Sequence, residues 1–241
     1  LSESLRIMNQ DWKKLLEQGL AGTGLNQQSV VSNGKGLFDK LMSSGVGGGL
    51  LGGVIGGMLA GKGGRKLTGN VAKLGGAAAV GALAYSAWNR YRQQQAGATV
   101  PPLSAEPTLP PPDSGFLPPP GDAVAGAAVG LAIVRAMIAA AKADGHIDNA
   151  ERERIFGQIS QLGLGAEEKA FLFDEIAKPL DIDAIVALGI SPQVSIDVYT
   201  ASLLAIEVDS PAEKAYLQML AARLGLEQGL VDEIHAAVSR A

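Results

Sequence analysis

Seventeen consecutive residues, Gly45 to Gly61 (GVGGGLLGGVIGGMLAG), carry no charge, and nine of them are glycine. Few sequences limit the possible folds so sharply. In water each helical glycine costs up to about 1 kcal/mol relative to alanine, so this run cannot hold a helix by itself. In hydrocarbon the alternative is unsatisfied backbone, and helix becomes obligatory. At about 1.5 Å rise per residue a helix here is roughly 25 Å long, the short limit for a bilayer span. Gly45, Gly48, Gly49, Gly52, Gly53, Gly56, Gly57 and Gly61 recur at spacings of four, the pattern that lets membrane helices approach closely. The expected partners are therefore the lipid bilayer, a second copy or another membrane protein. Two nucleotide-site lookalikes fall in the same region. Gly47-x-Gly49-x-x-Gly52 has no strand before it. In Gly56-x4-Gly61-Lys62 the next residue is Gly63, where a P-loop needs Ser or Thr.

The flanks fit the same reading. Met8–Leu20 has the spacing of an amphipathic helix, and Ala21–Lys35 reads as a loop. Lys62, Arg65, Lys66 and Lys73 form a basic collar. Leu74 to Trp88 is a second small-residue apolar stretch ending in Tyr85, Trp88, Arg90, Tyr91 and Arg92, an edge suited to a membrane interface. One span and a hairpin of two both satisfy this pattern. Residues 93–121 then hold nine of the twelve prolines and read as a semi-rigid spacer. The expected division is 1–44, an amphipathic helix and loop; 45–92, membrane-associated; 93–121, linker; and 122–241, a helical domain.

Charge follows that division. Residues 1–120 hold 11 Lys and Arg against 6 Asp and Glu, and residues 121–241 hold 9 against 18. A basic apolar half joined to an acidic half suggests a part facing lipid and a part facing water. The acidic half argues against nucleic acid, whose phosphates need basic surface. With no cysteine, thiolate metal sites and cysteine nucleophiles are excluded. No apolar leader is evident at the start, and together with the family resemblance given below this makes the cytoplasm the expected side for the acidic half.

Residues 122–241 read as all-α. Ala123–Ala141 is alanine-rich with Arg135 its one charge, and reads as a buried helix. It runs into Asp144-Gly145-His146-Ile147-Asp148, after which Asp148-x-x-Glu151 has the form of a capping box. Ser210-Pro211-Ala212-Glu213 repeats the device 62 residues on, and Leu162-Gly163-Leu164 is echoed by Leu224-Gly225-Leu226. Residues 166–177, 181–188, 192–206 and 228–238 supply further helices, about seven in all, with a pseudo-repeat.

The corner has metal-like character. Asp144, Gly145 and Glu151 match the second half of a calcium loop, while Ala140 and Lys142 stand where the first ligands belong. A hard divalent ion, calcium or magnesium, would find Asp144, Asp148 and Glu151, joined by Asp209 and Glu213 if the repeats face each other. Helix capping alone explains the same acids. A hydrolase using Asp144 and Glu151 is a competing reading, but no nucleophile accompanies them, and His146 and His235 have no evident partners. A purely structural scaffold that oligomerises through its glycine ridges is another.

AMIAAAKADGHIDNAE from Ala136 to Glu151, with EVDSPAEKAYLQMLAARLGL from Glu207 to Leu226, resembles the TerB-like tellurite-resistance domain. GGLLGGVIGGMLAGKGGRKL and GGAAAVGALAYSAW resemble the N-terminal part of YebE-type bacterial inner-membrane proteins. The resemblance implies a helical bundle whose acids, here Asp144, Asp148 and Glu151, bind metal. It also implies attachment to the inner membrane and a link to metal stress, with no established enzymatic activity. In the second copy Ile206 replaces the first Asp, leaving Asp209 and Glu213.

Overall fold

The computed structural model describes residues 76–97, 108–118, 122–143, 166–206 and 208–240. Among them are seven α-helices and no strand: α1 (Gly76–Gln95), α2 (Ala123–Ala141), α3 (Ala166–Ala177), α4 (Ile182–Val186), α5 (Pro192–Ala205), α6 (Pro211–Arg223) and α7 (Gln228–Arg240). The glycines from Gly45 to Gly61, the amphipathic stretch Met8–Leu20 and the first copy of the pseudo-repeat lie outside these residues.

Helix starts follow local rules. Asp122 accepts hydrogen bonds from the amides of Val124 and Ala125, both at 3.0 Å, and opens α2. Ser191 accepts from Val194 N at 3.2 Å and opens α5, with Pro192 at the first helical position. The capping box expected at Ser210 is present. Ser210 Oγ accepts from Glu213 N at 3.1 Å, and the Glu213 carboxylate accepts from Ser210 N at 3.1 Å. At the far end of α6, Gly225 takes φ +69°, the left-handed conformation where a side chain is strained. Leu226 N then donates to Ala221 O and Gly225 N to Ala222 O, closing a Schellman turn.

The hub is α5, which is buried at every position from Val194 to Ala205. It lies along α2 and also meets α1, α6 and α7. Helix α2 is long and apolar enough to cross a membrane by length and composition, yet most of it is enclosed in the bundle, from Ala128 to Ala140. Its alanines allow close approach to α5, and Ser202 Oγ lies 3.3 Å from Ala136 O across the contact.

Helix α1 lies in the same core. The sequence suits it to lipid; the structure sets it against α7 and α5. Ala77, Ala79, Val80, Leu83, Ala84 and Ala87 are buried in that contact. The aromatic-arginine edge expected at a membrane interface is instead occupied by protein. Arg90 Nε donates to Glu233 Oε2 at 2.8 Å, Tyr91 OH donates to Glu227 Oε2 at 2.6 Å, and the Arg92 guanidinium lies 4.7 Å over the Trp88 ring. The physical reason is that small side chains permit close packing against protein as readily as against a lipid-embedded helix.

Residues 108–118 of the proline-rich stretch form a strap against α1. Phe116 is 1% exposed and packs its ring 5.6 Å from both Tyr85 and Trp88. A β-carbon on Gly81 would stand 2.8 Å from Leu117 Cδ2 and 2.9 Å from Phe116 O, so the strap crosses α1 where only glycine fits.

Candidate functional site

A cleft of about 470 Å³ opens where the C-terminal turns of α2 and α3 meet α4. Ile138 and Ala139 from α2, Pro179 and Leu180 from the connection, and Ala184 and Ile185 from α4 form its apolar walls. One end is charged. Arg135 Nε donates to Glu175 Oε1 at 2.7 Å, and Lys178 Nζ donates to Glu175 Oε2 at 2.8 Å, so one carboxylate is gripped by two cations. Lys142 Nζ donates to the carbonyls of Glu175 and Lys178, satisfying groups that the end of α3 leaves open. Burial pushes the Glu175 carboxyl up, but the Lys178 hydrogen bond and the Arg135 guanidinium together bring it below the ordinary carboxylate value. It is held ionised, a poor state from which to donate a proton.

A second polar centre lies inside α5. Thr200 and Ser202 return their hydroxyls to Ile196 O and Val198 O, which satisfies them within the helix. Tyr199 OH and His235 Nε2 are 2.9 Å apart, so the histidine with no evident partner in the sequence has a phenol beside it. Burial, with the charge of Asp232, pushes the Tyr199 hydroxyl up to about 12. Asp197 differs from these residues. It is 3% exposed, its Oδ1 has no hydrogen-bond partner, and burial pushes its carboxyl well above the usual range.

A protonated Asp197 has a direct consequence for stability. The folded chain keeps its proton above the unfolded carboxyl value of about 3.9, so folding takes up a proton from there to the raised folded value. Stability from this group is greatest on the acid side and falls as pH rises through that interval. Asp197→Asn, a permanently neutral replacement, is expected to raise Tm at pH 7 and to lose that advantage towards pH 4. Each unit of upward displacement is worth about 1.4 kcal/mol. Melting curves at the two pH values check this; an equal Tm difference at both would refute it.

Of the acids expected to hold metal, Asp144, Asp148 and Glu151 lie outside the described residues. Glu213 is committed to the cap of α6 and also receives the Asp209 amide at 3.3 Å, while Asp209 is exposed. Among the described residues no three His, Asp or Glu side chains cluster closely enough to hold an ion. The residues that converge at the cleft, Arg135, Glu175 and Lys178, and the separately buried Asp197 left a faint trace in the sequence. Arg135 is the one charge in α2 and Asp197 the one charge in α5.

A family model described as "Protein of unknown function (DUF533)" matches residues 44–238. An uncharacterized protein in the ampR 5' region of Yersinia enterocolitica is 28% identical over 102 residues, covering 42% of this chain and 73% of that protein. No solved structure matches.

Proposed function

Because this chain belongs to the DUF533 family, a family of unknown function, we propose its role from its own geometry: a non-enzymatic helical module held close to the bacterial inner membrane, serving the assembly of a membrane complex. The observation that carries the reading is the seat of α1. Arg90–Glu233, Tyr91–Glu227 and the Phe116 aromatic cluster lock α1, described from Gly76 onward, into the bundle. Only Lys62 to Gly75, 14 residues, separate Gly76 from the glycine-rich run. Fully extended, that link spans about 50 Å at most. Lys62, Arg65, Lys66 and Lys73 fall within it and suit an anionic lipid surface. With Gly45–Gly61 in the bilayer, the acidic bundle rides just above the cytoplasmic leaflet rather than swinging on a proline tether. The likeness to YebE-type proteins supports this placement. The likeness to the TerB-like domain supports a metal-linked stress response through Asp144, Asp148 and Glu151.

Fractionation tests the proposal. The full chain is expected to pellet with membranes and resist salt extraction, while residues 74–241 stay soluble. Full-length protein in the soluble fraction would end the anchor reading. For the metal branch, the full chain is stripped with chelator and returned to calcium or magnesium. A rise in Tm supports that branch, and an unchanged Tm removes it.

A further inference from the structure

Helix α1 is covered on two sides. Arg90 and Tyr91 reach Glu233 and Glu227 of α7. Gly81, Tyr85, Trp88 and Arg92 follow at spacings of four, three and four, which sets them in one stripe along the helix. The strap lies on that stripe. Phe116 packs against Tyr85 and Trp88, and its carbonyl and the Leu117 side chain close on Gly81. Among the described residues no hydrogen bond joins the strap to a helix. Its two run within it, from Ser114 N to Pro111 O at 3.0 Å and from Phe116 N to Ser114 Oγ at 3.5 Å. Pro110, Pro111, Pro112 and Pro118 have no amide to donate. Lifting the strap therefore breaks no hydrogen bond to the bundle and gives up side-chain burial, chiefly that of Phe116.

Under the strap two aromatic rings stand beside an exposed cation, the Arg92 guanidinium lying over Trp88. Rings of this kind settle at the headgroup level of a bilayer, and anionic headgroups attract the arginine. We propose that the strap is a latch over a lipid-docking face of α1. Closed, it fills that face with Phe116. Lifted, it leaves Tyr85, Trp88 and Arg92 to meet an anionic lipid surface, while the side bearing Arg90 and Tyr91 stays on α7. The proposal rests on the membrane placement given above, which keeps α1 within reach of lipid. Lipid draws out the open form because it has affinity for that form alone.

Quenching of Trp88 fluorescence by vesicles of brominated phosphatidylglycerol tests it, on the full chain with Trp12→Phe, which leaves Trp88 as the one tryptophan. Phe116→Ala is expected to raise the lipid-docked fraction about tenfold or more, because truncating a buried phenylalanine shifts the closed–open balance by at least that factor. Gly115→Cys with Gln193→Cys closes the latch covalently. A β-carbon on Gly115 would stand 3.7 Å from Gln193 Cβ, inside the roughly 3.5–4.5 Å of a disulfide, and the chain has no cysteine of its own. Gly115 has φ +80°, where any side chain is strained, so the reduced pair loosens the strap and the oxidised pair holds it. Quenching is expected under dithiothreitol and none after oxidation. Tyr91→Trp with Trp88→Phe reports the side facing α7, and in the Phe116→Ala chain it is expected to be quenched far less than Trp88. Brominated phosphatidylcholine is expected to quench Trp88 less than phosphatidylglycerol, and Arg92→Ala to remove that difference. Equal quenching at positions 88 and 91 would mean that α1 has left the bundle, and would overturn the proposal. So would Trp88 quenching indifferent to Phe116→Ala or to oxidation, or equal quenching by the two lipids. A chain found soluble on fractionation can still be mixed with these vesicles, so failure of the anchor and failure of the latch are separate results.

Discussion

A chain cut to residues 122–241 is expected to lose cooperative unfolding, whereas residues 74–241 keep it. The cut falls where the proline-rich stretch ends and residue pattern alone would put a domain boundary. It removes α1 and the strap, and with them the buried side chains of Val80, Leu83 and Phe116. Each is worth about 1.5–3 kcal/mol when fully buried, so the three together contribute roughly 4–9 kcal/mol. A domain of this size is stable by only about 5–15 kcal/mol. The cut also takes the partners of Glu233 and Glu227 and exposes the faces of α5 and α7 that α1 covers. Circular dichroism melts of the two fragments decide the matter. A sharp melt from 122–241, at the Tm of the longer fragment, would show that α1 is dispensable. Phe116→Ala in the longer fragment is a finer version of the same test, and about 3–5 kcal/mol of destabilisation is expected.

The second large effect lies in the ion pair of the cleft. Glu175→Ala takes the carboxylate from Arg135 Nε and from Lys178, at a site where the Glu175 side chain is 8% exposed. Breaking a buried pair from one side typically costs about 3–5 kcal/mol, because the remaining charge has lost its compensation. Replacing both partners, Arg135→Met with Glu175→Leu, is expected to recover most of that loss. Urea denaturation of the three variants measures the difference. A Glu175→Ala cost under about 1 kcal/mol would mean the pair behaves as a surface contact. The pH dependence has its own sign. The Glu175 carboxyl is lowered in the folded chain, so its contribution is present above the unfolded value of about 4.3 and is lost as pH falls through the folded value. Asp197 acts in the opposite sense, losing stability as pH rises. Wild-type stability is therefore expected to fall off on both sides, and each limb should vanish with its own variant.

Much of the bundle was legible because its signals are short-range. Asp122, Ser191 and Ser210 each satisfy amides two or three residues ahead, and Gly225 ends α6 through its own φ. Those relations lie within one helical turn, and a linear reading finds them. The inward set Leu217, Leu220 and Ala221 follows from helical period alone. The candidate site was not legible in the same way. Arg135 stood out as a lone charge in an apolar helix, which predicts a partner, but 40 residues separate it from Glu175. Nothing in the spacing distinguishes Glu175 from the other acids of the half.

What the sequence determined by itself is the helical class, the places where helices start and stop, and a glycine-rich run with too few side chains to hold a helix alone in water. What the tertiary structure decided is the partner of each apolar face. The stripe of α1, alanine and glycine with an aromatic-arginine end, satisfies lipid and protein equally well, since small side chains make close contact in either setting. Only the complementary surface of α5 and α7, the acids Glu227 and Glu233, and the ring of Phe116 show that protein covers it.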